Sequence, residues 1–229
     1  MKKLIFYLSV GFIFSFLASC DFLNDNKDHG YSRDNAWIGF GLIQKDTVAK
    51  AFTIDLDDGT ILYPETNSDW YSDVTNHQRV LANYTIIGDN KGMLNVAQYD
   101  VKIYSLRNIL YKGILNITPA MEDSIGNDPI HVKDHWMKDN MLNFELSYLG
   151  GSKIHYINLV REPGASATGP VILQLRHNNN KDPEMIRMSA VVTFDLSSLK
   201  VAGKDSVTFK VVSKDFNGDE FGYTGVYKY

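Results

Sequence analysis

Few side chains in this sequence have the types and spacing that chemistry needs. His131 and His135, with Asp134 between them, invite a metal reading, because two histidines four apart face one way on a helix. Pro129 and the apolar Ile130 and Val132 instead predict an extended segment. On a strand the two imidazoles share a face but stand roughly 13 Å apart, too far for one ion. The pair therefore reads as surface histidines beside Trp136, and no metal site is expected. Asp215-Phe216-Asn217-Gly218-Asp219 has a faint likeness to a calcium loop, but its glycine comes one position early and Val226 stands where the closing acid belongs. An Asn-Gly turn explains it better, and Asp57-Asp58-Gly59 likewise reads as a turn rather than a pair of catalytic carboxylates. Ser166 sits among Gly, Ala and Thr without the pattern of a nucleophile elbow. No glycine pattern for a dinucleotide or a phosphate loop is present, so neither catalytic residues nor a cofactor are expected. Trp70 and Tyr71 remain, in a polar insert (ETNSDWYSDVTN) where aromatic faces could stack on a sugar or anchor a protein partner. Tyr223, Tyr227 and Tyr229 share a face of the last strand and are weaker candidates of the same kind. The competing expectation is that these rings cover the end of a barrel or pack between domains.

The one cysteine has a different chemistry. Lys2 and Lys3 precede a run from Leu4 to Leu17 interrupted only by Ser9, Gly11 and Ser15. As a helix this run spans about 21 Å, short of the roughly 30 Å of a hydrocarbon core. It fits a signal peptide over residues 1–19. Leu17-Ala18-Ser19-Cys20 resembles a bacterial lipobox. That resemblance implies cleavage before Cys20, whose thiol would carry a diacylglycerol and whose amine a further acyl chain such as palmitate. Several chains anchor firmly where one binds only marginally. The expected partner at Cys20 is thus a membrane, and the expected location is the cell envelope, as an outer-membrane lipoprotein.

Composition bounds the rest. The chain has 229 residues, 44% apolar and 22% charged, the ordinary globular range. Without residues 1–19 it keeps 21 basic and 27 acidic side chains, a net charge of −6. That balance, with no basic run, argues against nucleic acid as a partner. With no cysteine left to pair, the fold must rest on its core alone. Residues 20–35 (CDFLNDNKDHGYSRDN) are polar and Asn/Asp-rich, a flexible tether by composition, in which Lys27-Asp28 loosely resembles a surface-export signal.

The elements that would position the candidates are strands. Apolar residues alternate at Phe52, Ile54 and Leu56, at Leu142, Phe144, Leu146 and Tyr148, at Val171, Leu173 and Leu175, at Val192, Phe194 and Leu196, and at Val207, Phe209 and Val211. Each run predicts one face on a core and one in water. Asp57-Asp58-Gly59 and Asn217-Gly218 punctuate them as hairpin turns. Gly88–Gly92 and Gly150-Gly151 join further runs, and residues 162–170 (EPGASATGP) read as a loop. Pro119 cannot join a sheet interior and predicts a domain boundary. The fold expected is all-β: a five-stranded barrel over residues 36–117, then an immunoglobulin-like β-sandwich over residues 118–229. Three triplets, at Thr47, Ser124 and Ser206, each follow Asp and precede an aliphatic residue, and resemble an O-glycan acceptor pattern of exported bacterial proteins.

The sequence also resembles the NigD-like lipoproteins. The matching segments are Trp37–Gln44 (WIGFGLIQ), Phe52–Leu62 (FTIDLDDGTIL), Gln78–Ile87 (QRVLANYTII), Asp134–Tyr148 (DHWMKDNMLNFELSY), His155–Val160 (HYINLV), Leu175–Asn178 (LRHN) and Phe194–Leu199 (FDLSSL). The resemblance runs from about Trp37 to the C-terminus and implies an N-terminal OB-fold with a C-terminal β-sandwich. It carries no active residues across, and it implies an accessory or bacteriocin-immunity role. The expectation is a non-enzymatic, lipid-anchored binding protein. Bacteriocin immunity and glycan binding are the two narrower alternatives.

Overall fold

The computed structural model describes residues 35–65, 70–90, 96–161 and 169–229. Cys20, the signal peptide and nearly all of the expected tether lie outside these residues, as do Ser166 and most of the loop around it.

Five strands close the barrel: β1 (Ala36–Asp46), β2 (Ala51–Leu56), β3 (Ile61–Pro64), β4 (Arg79–Asp89) and β5 (Gln98–Asn108). Their order round the barrel is β1-β2-β3-β5-β4, with β3 and β5 parallel and the other pairs antiparallel. This is the connectivity of an OB-fold. Closure depends on β1 serving two neighbours. Residues 36–42 pair with β4, and residues 41–46 pair with β2. The strand must therefore curl, and Gly41 sits where it does so. A Cβ there would lie 2.6 Å from Ile54 Cγ2, so only glycine lets the two backbones approach this closely. Phe52, Ile54 and Leu56 fill the interior, as their alternation predicts, with Ile43, Leu62, Val80, Tyr84 and Val101. At Asp57-Asp58-Gly59 the chain turns into β3. Gly59 takes φ 91°, and the Asp58 carboxylate accepts the Thr60 amide at 2.8 Å.

Nine strands build the sandwich. They are β6 (Leu110–Gly113), β7 (Leu115–Asn116), β8 (His131–Lys138), β9 (Met141–Gly150), β10 (Tyr156–Arg161), β11 (Val171–Asn178), β12 (Ile186–Asp195), β13 (Ser206–Lys214) and β14 (Glu220–Lys228). One sheet runs β14-β13-β11-β10-β7 and the other β6-β12-β9-β8. Three pairs are parallel, β11 with β13, β10 with β7 and β12 with β6, where the chain crosses between sheets instead of turning back. Phe144, Leu146, Leu159, Leu173, Phe194, Phe209 and Val211 are buried between the two sheets. Full burial of one such side chain contributes about 2–3 kcal/mol.

The domain change comes earlier than Pro119. Leu110–Gly113 already pairs with β12, and Leu115–Asn116 with β10, so both belong to the sandwich. Pro119 opens a 3-10 turn (Pro119–Met121) that leads into the short helix Glu122–Ile125. There a proline at the first helical position forfeits no hydrogen bond, so it marks a turn within the domain. Ile117, Ile125 and Val160 form a small core beneath it.

Strand β9 departs from the one-face expectation. Its polar residues Asn143, Glu145 and Ser147 are as buried as the apolar ones that alternate with them. Asn143 meets Arg79 of the barrel, Glu145 pairs with Lys133, and Ser147 accepts from Arg187 at 3.0 Å.

Candidate functional site at the barrel rim

The residues singled out in the sequence fall in three places. Trp70 and Tyr71 open a single-turn helix, α1 (Trp70–Asp73), that lies against the end of β1. Val74 follows it and is buried. The side chain of Lys45, at the end of β1, ties the helix down. Its Nζ donates to the Val74 carbonyl at 2.8 Å and stands 4.1 Å from the centre of the Tyr71 ring, within cation–π range. The Lys45 amide donates to Asn76 Oδ1 at 2.9 Å, fixing the next stretch of chain. Both aromatic residues are half-buried, so this cap on the end of β1 still presents surface.

Beside this cap is a cleft of about 590 Å³. Lys45 and Asn76 belong to its wall, with Thr53, Tyr63, Asn90 and Asp100 across from them. Tyr63 donates to Gln98 at 2.9 Å, and Asn90 donates to Asp100 at 2.8 Å, which sets the orientation of these groups before anything binds. The wall thus combines amides, the carboxylates of Asp46 and Asp100, an ammonium and a phenol ring with the apolar Ala51, Phe52 and Pro64. That mixture suits a ligand with both polar and apolar faces, such as a sugar or a peptide.

His131 and His135 are not brought together on a metal. A register break in β8 between Val132 and Asp134 interrupts the two-residue period. His131 faces solvent and bonds Asp215 at 2.8 Å. His135 instead packs among aromatics, its ring centre 4.1 Å from that of Tyr223 and 5.6 Å from Phe221. It is not the surface residue the sequence suggested. Among the described residues no trio of His, Cys, Asp or Glu could hold a metal ion. Asp215 caps the Phe216–Gly218 turn, accepting the Phe216 amide at 2.7 Å, and Asn217 there takes φ 62°. Tyr223 and Tyr227 point toward the sandwich core. Thr47 stands on the exposed β1–β2 turn, and the Ser124 hydroxyl bonds the Met121 carbonyl.

Two clusters escaped the sequence. The first is a buried row in the sandwich. Pro129 O lies 3.1 Å from His177 Nδ1, His177 Nε2 lies 2.9 Å from His155 Nδ1, and His155 Nε2 lies 3.0 Å from Asp182. The carbonyl only accepts, so His177 Nδ1 donates to it. The Asp182 carboxylate also only accepts, so His155 Nε2 donates to it. Tyr148 stacks on both rings at 4.8 and 5.1 Å. Burial lowers the His177 pKa against a smaller opposing effect from the Pro129 carbonyl. Burial alone would raise Asp182, but the Gly151 amide, the His155 ring and the Ser152 and Lys153 amides outweigh it and hold Asp182 at about 2. His155 and Asp182 are 3% and 0% exposed, so no substrate reaches this row, and it pins the 150–153 and 179–182 turns together. The only sequence signal was two histidines at inward positions, 22 residues apart.

The second cluster joins the domains. Arg79 is fully buried and grips Asp57 with both guanidinium ends. It also reaches Asn143 at 3.0 Å and Thr193 at 3.3 Å. Trp136 donates to Asp57 at 2.8 Å and packs on Phe40, 5.2 Å between ring centres.

A barrel of this connectivity welded to this sandwich is what the comparisons find. The NigD-like N-terminal OB domain matches residues 40–109, and the NigD-like C-terminal beta sandwich domain matches residues 113–226. The chain belongs to the NigD-like family. Among solved structures it is similar to a protein from Parabacteroides distasonis provisionally described as toxin-related. The two are 28% identical, the match covers 85% of this chain and 94% of that one, and the TM-score is 0.70. A protein of unknown function from Bacteroides vulgatus is 24% identical over 85% of this chain and 91% of its own, at TM-score 0.69. A NigD-like immunity protein from Bacteroides caccae is 22% identical over 82% and 91%, at TM-score 0.61. No curated protein matches the chain. No helix among the described residues is long and apolar enough to cross a membrane.

Proposed function

We propose that this chain is a non-enzymatic binding protein of the bacterial envelope, held at the outer membrane by acyl chains on Cys20, which takes its ligand at the barrel rim. The observation that carries the binding role is the cleft of about 590 Å³ beside the Tyr71–Lys45 cap. Its polar groups are positioned before binding, whereas the Asp-His-His row is closed to solvent. Tyr71, against Lys45 of the wall, and Trp70 next to it on α1 offer aromatic surface beside the cleft, and the amides and Asp100 within it supply the directional hydrogen bonds. The anchoring role rests on the lipobox-like Leu17-Ala18-Ser19-Cys20. A solved relative from Bacteroides fragilis that is provisionally described as a lipoprotein, 14% identical, is in keeping with it.

Two measurements test the reading. Mass spectrometry of the membrane fraction should find Cys20 as the acylated first residue, and an uncut chain with a free thiol would sink the address. A glycan and peptide array probed with the chain should give a ligand whose binding Trp70→Ala or Tyr71→Ala weakens. Undiminished binding by both variants would remove the rim from consideration.

One narrower reading has a specific observation behind it. The Bacteroides caccae relative is described as an immunity protein, so the ligand here could be a bacteriocin. Deleting the gene should then sensitise cells to one toxin, and unchanged killing curves would exclude this reading.

A further inference from the structure

Nothing among the described residues blunts one long sheet edge of the sandwich. Among the described residues, the five-stranded sheet ends at β14 on one side and at the two-residue β7 on the other. The four-stranded sheet ends at β6, only four residues long, and at β8. Strand β8 carries the register break after Val132 and the charged Lys133, Asp134 and Lys138. Short strands, bulges and charges are the usual defences of an edge. Strand β14 has none of them in its middle. It runs nine residues, EFGYTGVYK, in unbroken register with β13, with no proline and charges only at its two ends.

The ladder shows which backbone groups face outward. Asp215 N bonds Asp219 O and Tyr229 N bonds Asp205 O, both at 2.9 Å, at either end of the β13–β14 pairing. Hydrogen-bonded and non-bonded pairs alternate in an antiparallel ladder. Phe221, Tyr223, Gly225 and Tyr227 therefore bond to β13. Glu220, Gly222, Thr224, Val226 and Lys228 turn their N–H and C=O groups to the open edge. These same residues are exposed, Val226 at 49%.

This edge is complementary to itself. A second copy placed antiparallel about a two-fold axis at Thr224 sets Glu220 against Lys228 and Lys228 against Glu220. Gly222 meets Val226, and Thr224 meets Thr224. Opposite charges and paired threonines are favourable neighbours across strands. Five such outward pairs, each exchanging two bonds, make about ten new hydrogen bonds. A parallel copy would set Glu220 against Glu220 and Lys228 against Lys228.

We infer that β14 is a homodimerisation edge, pairing antiparallel with β14 of a second copy so that the two five-stranded sheets become one continuous sheet. The partner is this same chain, through an isologous contact of the kind that closes at two subunits. The inference is independent of what the barrel rim binds.

Sedimentation velocity of the full chain in detergent tests it, together with amide exchange. A concentration-dependent dimer is expected, with the amides of Thr224 and Val226 protected only in the dimer. Glu220→Lys should weaken association by about tenfold, because two ion pairs are lost together. Adding Lys228→Glu should restore it, although Lys214, opposite position 220 in the β13–β14 register, then faces a lysine. Thermal melts of both variants check that the fold is intact. A monomer at every concentration, fast exchange at Thr224, or a dimer indifferent to Glu220→Lys would each overturn the inference.

Discussion

Arg79, at the start of β4, and Asp57, in the β2–β3 turn, form a two-pronged ion pair at the place where the barrel meets the sandwich. Arg79 has no exposed side-chain surface and Asp57 keeps 15%. The asymmetry decides what each substitution does. Asp57→Ala strands a buried guanidinium and should cost about 3–5 kcal/mol. Arg79→Met leaves a carboxylate that still accepts from Trp136 and still touches water, so it should cost less. Urea unfolding of both variants checks the order, and equal losses would mean that the pair is not the source of the stability.

Gly41 lets the barrel close. Gly41→Ala drives a methyl group into Ile54 and the Asp55 carbonyl, which lie 2.6 and 3.0 Å from its Cβ position. A loss of about 1–3 kcal/mol is expected from this overpacking. A melting temperature equal to that of the parent would show that β1 curls elsewhere.

Acid should destabilise the sandwich in two stages. His177 has its pKa lowered from 6.5 by burial. The unfolded chain therefore binds that proton more readily, and the stability held by neutral His177 is present above pH 6.5 and falls below it. Asp182 is lowered from 3.8 to about 2. Its contribution is whole above pH 3.8 and is lost as pH falls toward 2. Denaturant midpoints of Asp182→Asn across pH 2–5 should show a flatter slope than the parent. An unchanged slope would refute the assignment.

Lys45 holds the cap. Lys45→Ala removes both the bond to the Val74 carbonyl and the ammonium over Tyr71. The Val74 amide, which bonds Trp70 at 3.1 Å, should then exchange faster while the barrel strands stay protected. Trp70 emission should shift to the red. If neither changes, the helix is held by something other than this lysine.

The strands were legible in the sequence because each barrel or core face alternates cleanly. Phe52, Ile54 and Leu56 point inward as read, and Asp57-Asp58-Gly59 turns as read. Strand β9 was half legible. Its polar face suggested water, yet Asn143 is covered by an arginine 64 residues earlier, and no local pattern encodes such a meeting. The early start of the sandwich was hidden for a related reason, since Leu110 and Leu115 join sheets whose other strands come much later in the chain. At the rim, Trp70 and Tyr71 stood out by type. Lys45, which fixes Tyr71, did not, because a lysine at a strand end looks like any solvated charge. His155 and His177 matched family segments, but only the fold sets them 2.9 Å apart.

The Arg79 junction also bears on motion. A tryptophan, an arginine and three polar partners interlock there, so any hinge between the domains would have to break this network. The same side chains that close the β2–β3 turn also hold β9 and β12, so a disturbance of one domain is felt in the other through a single buried guanidinium.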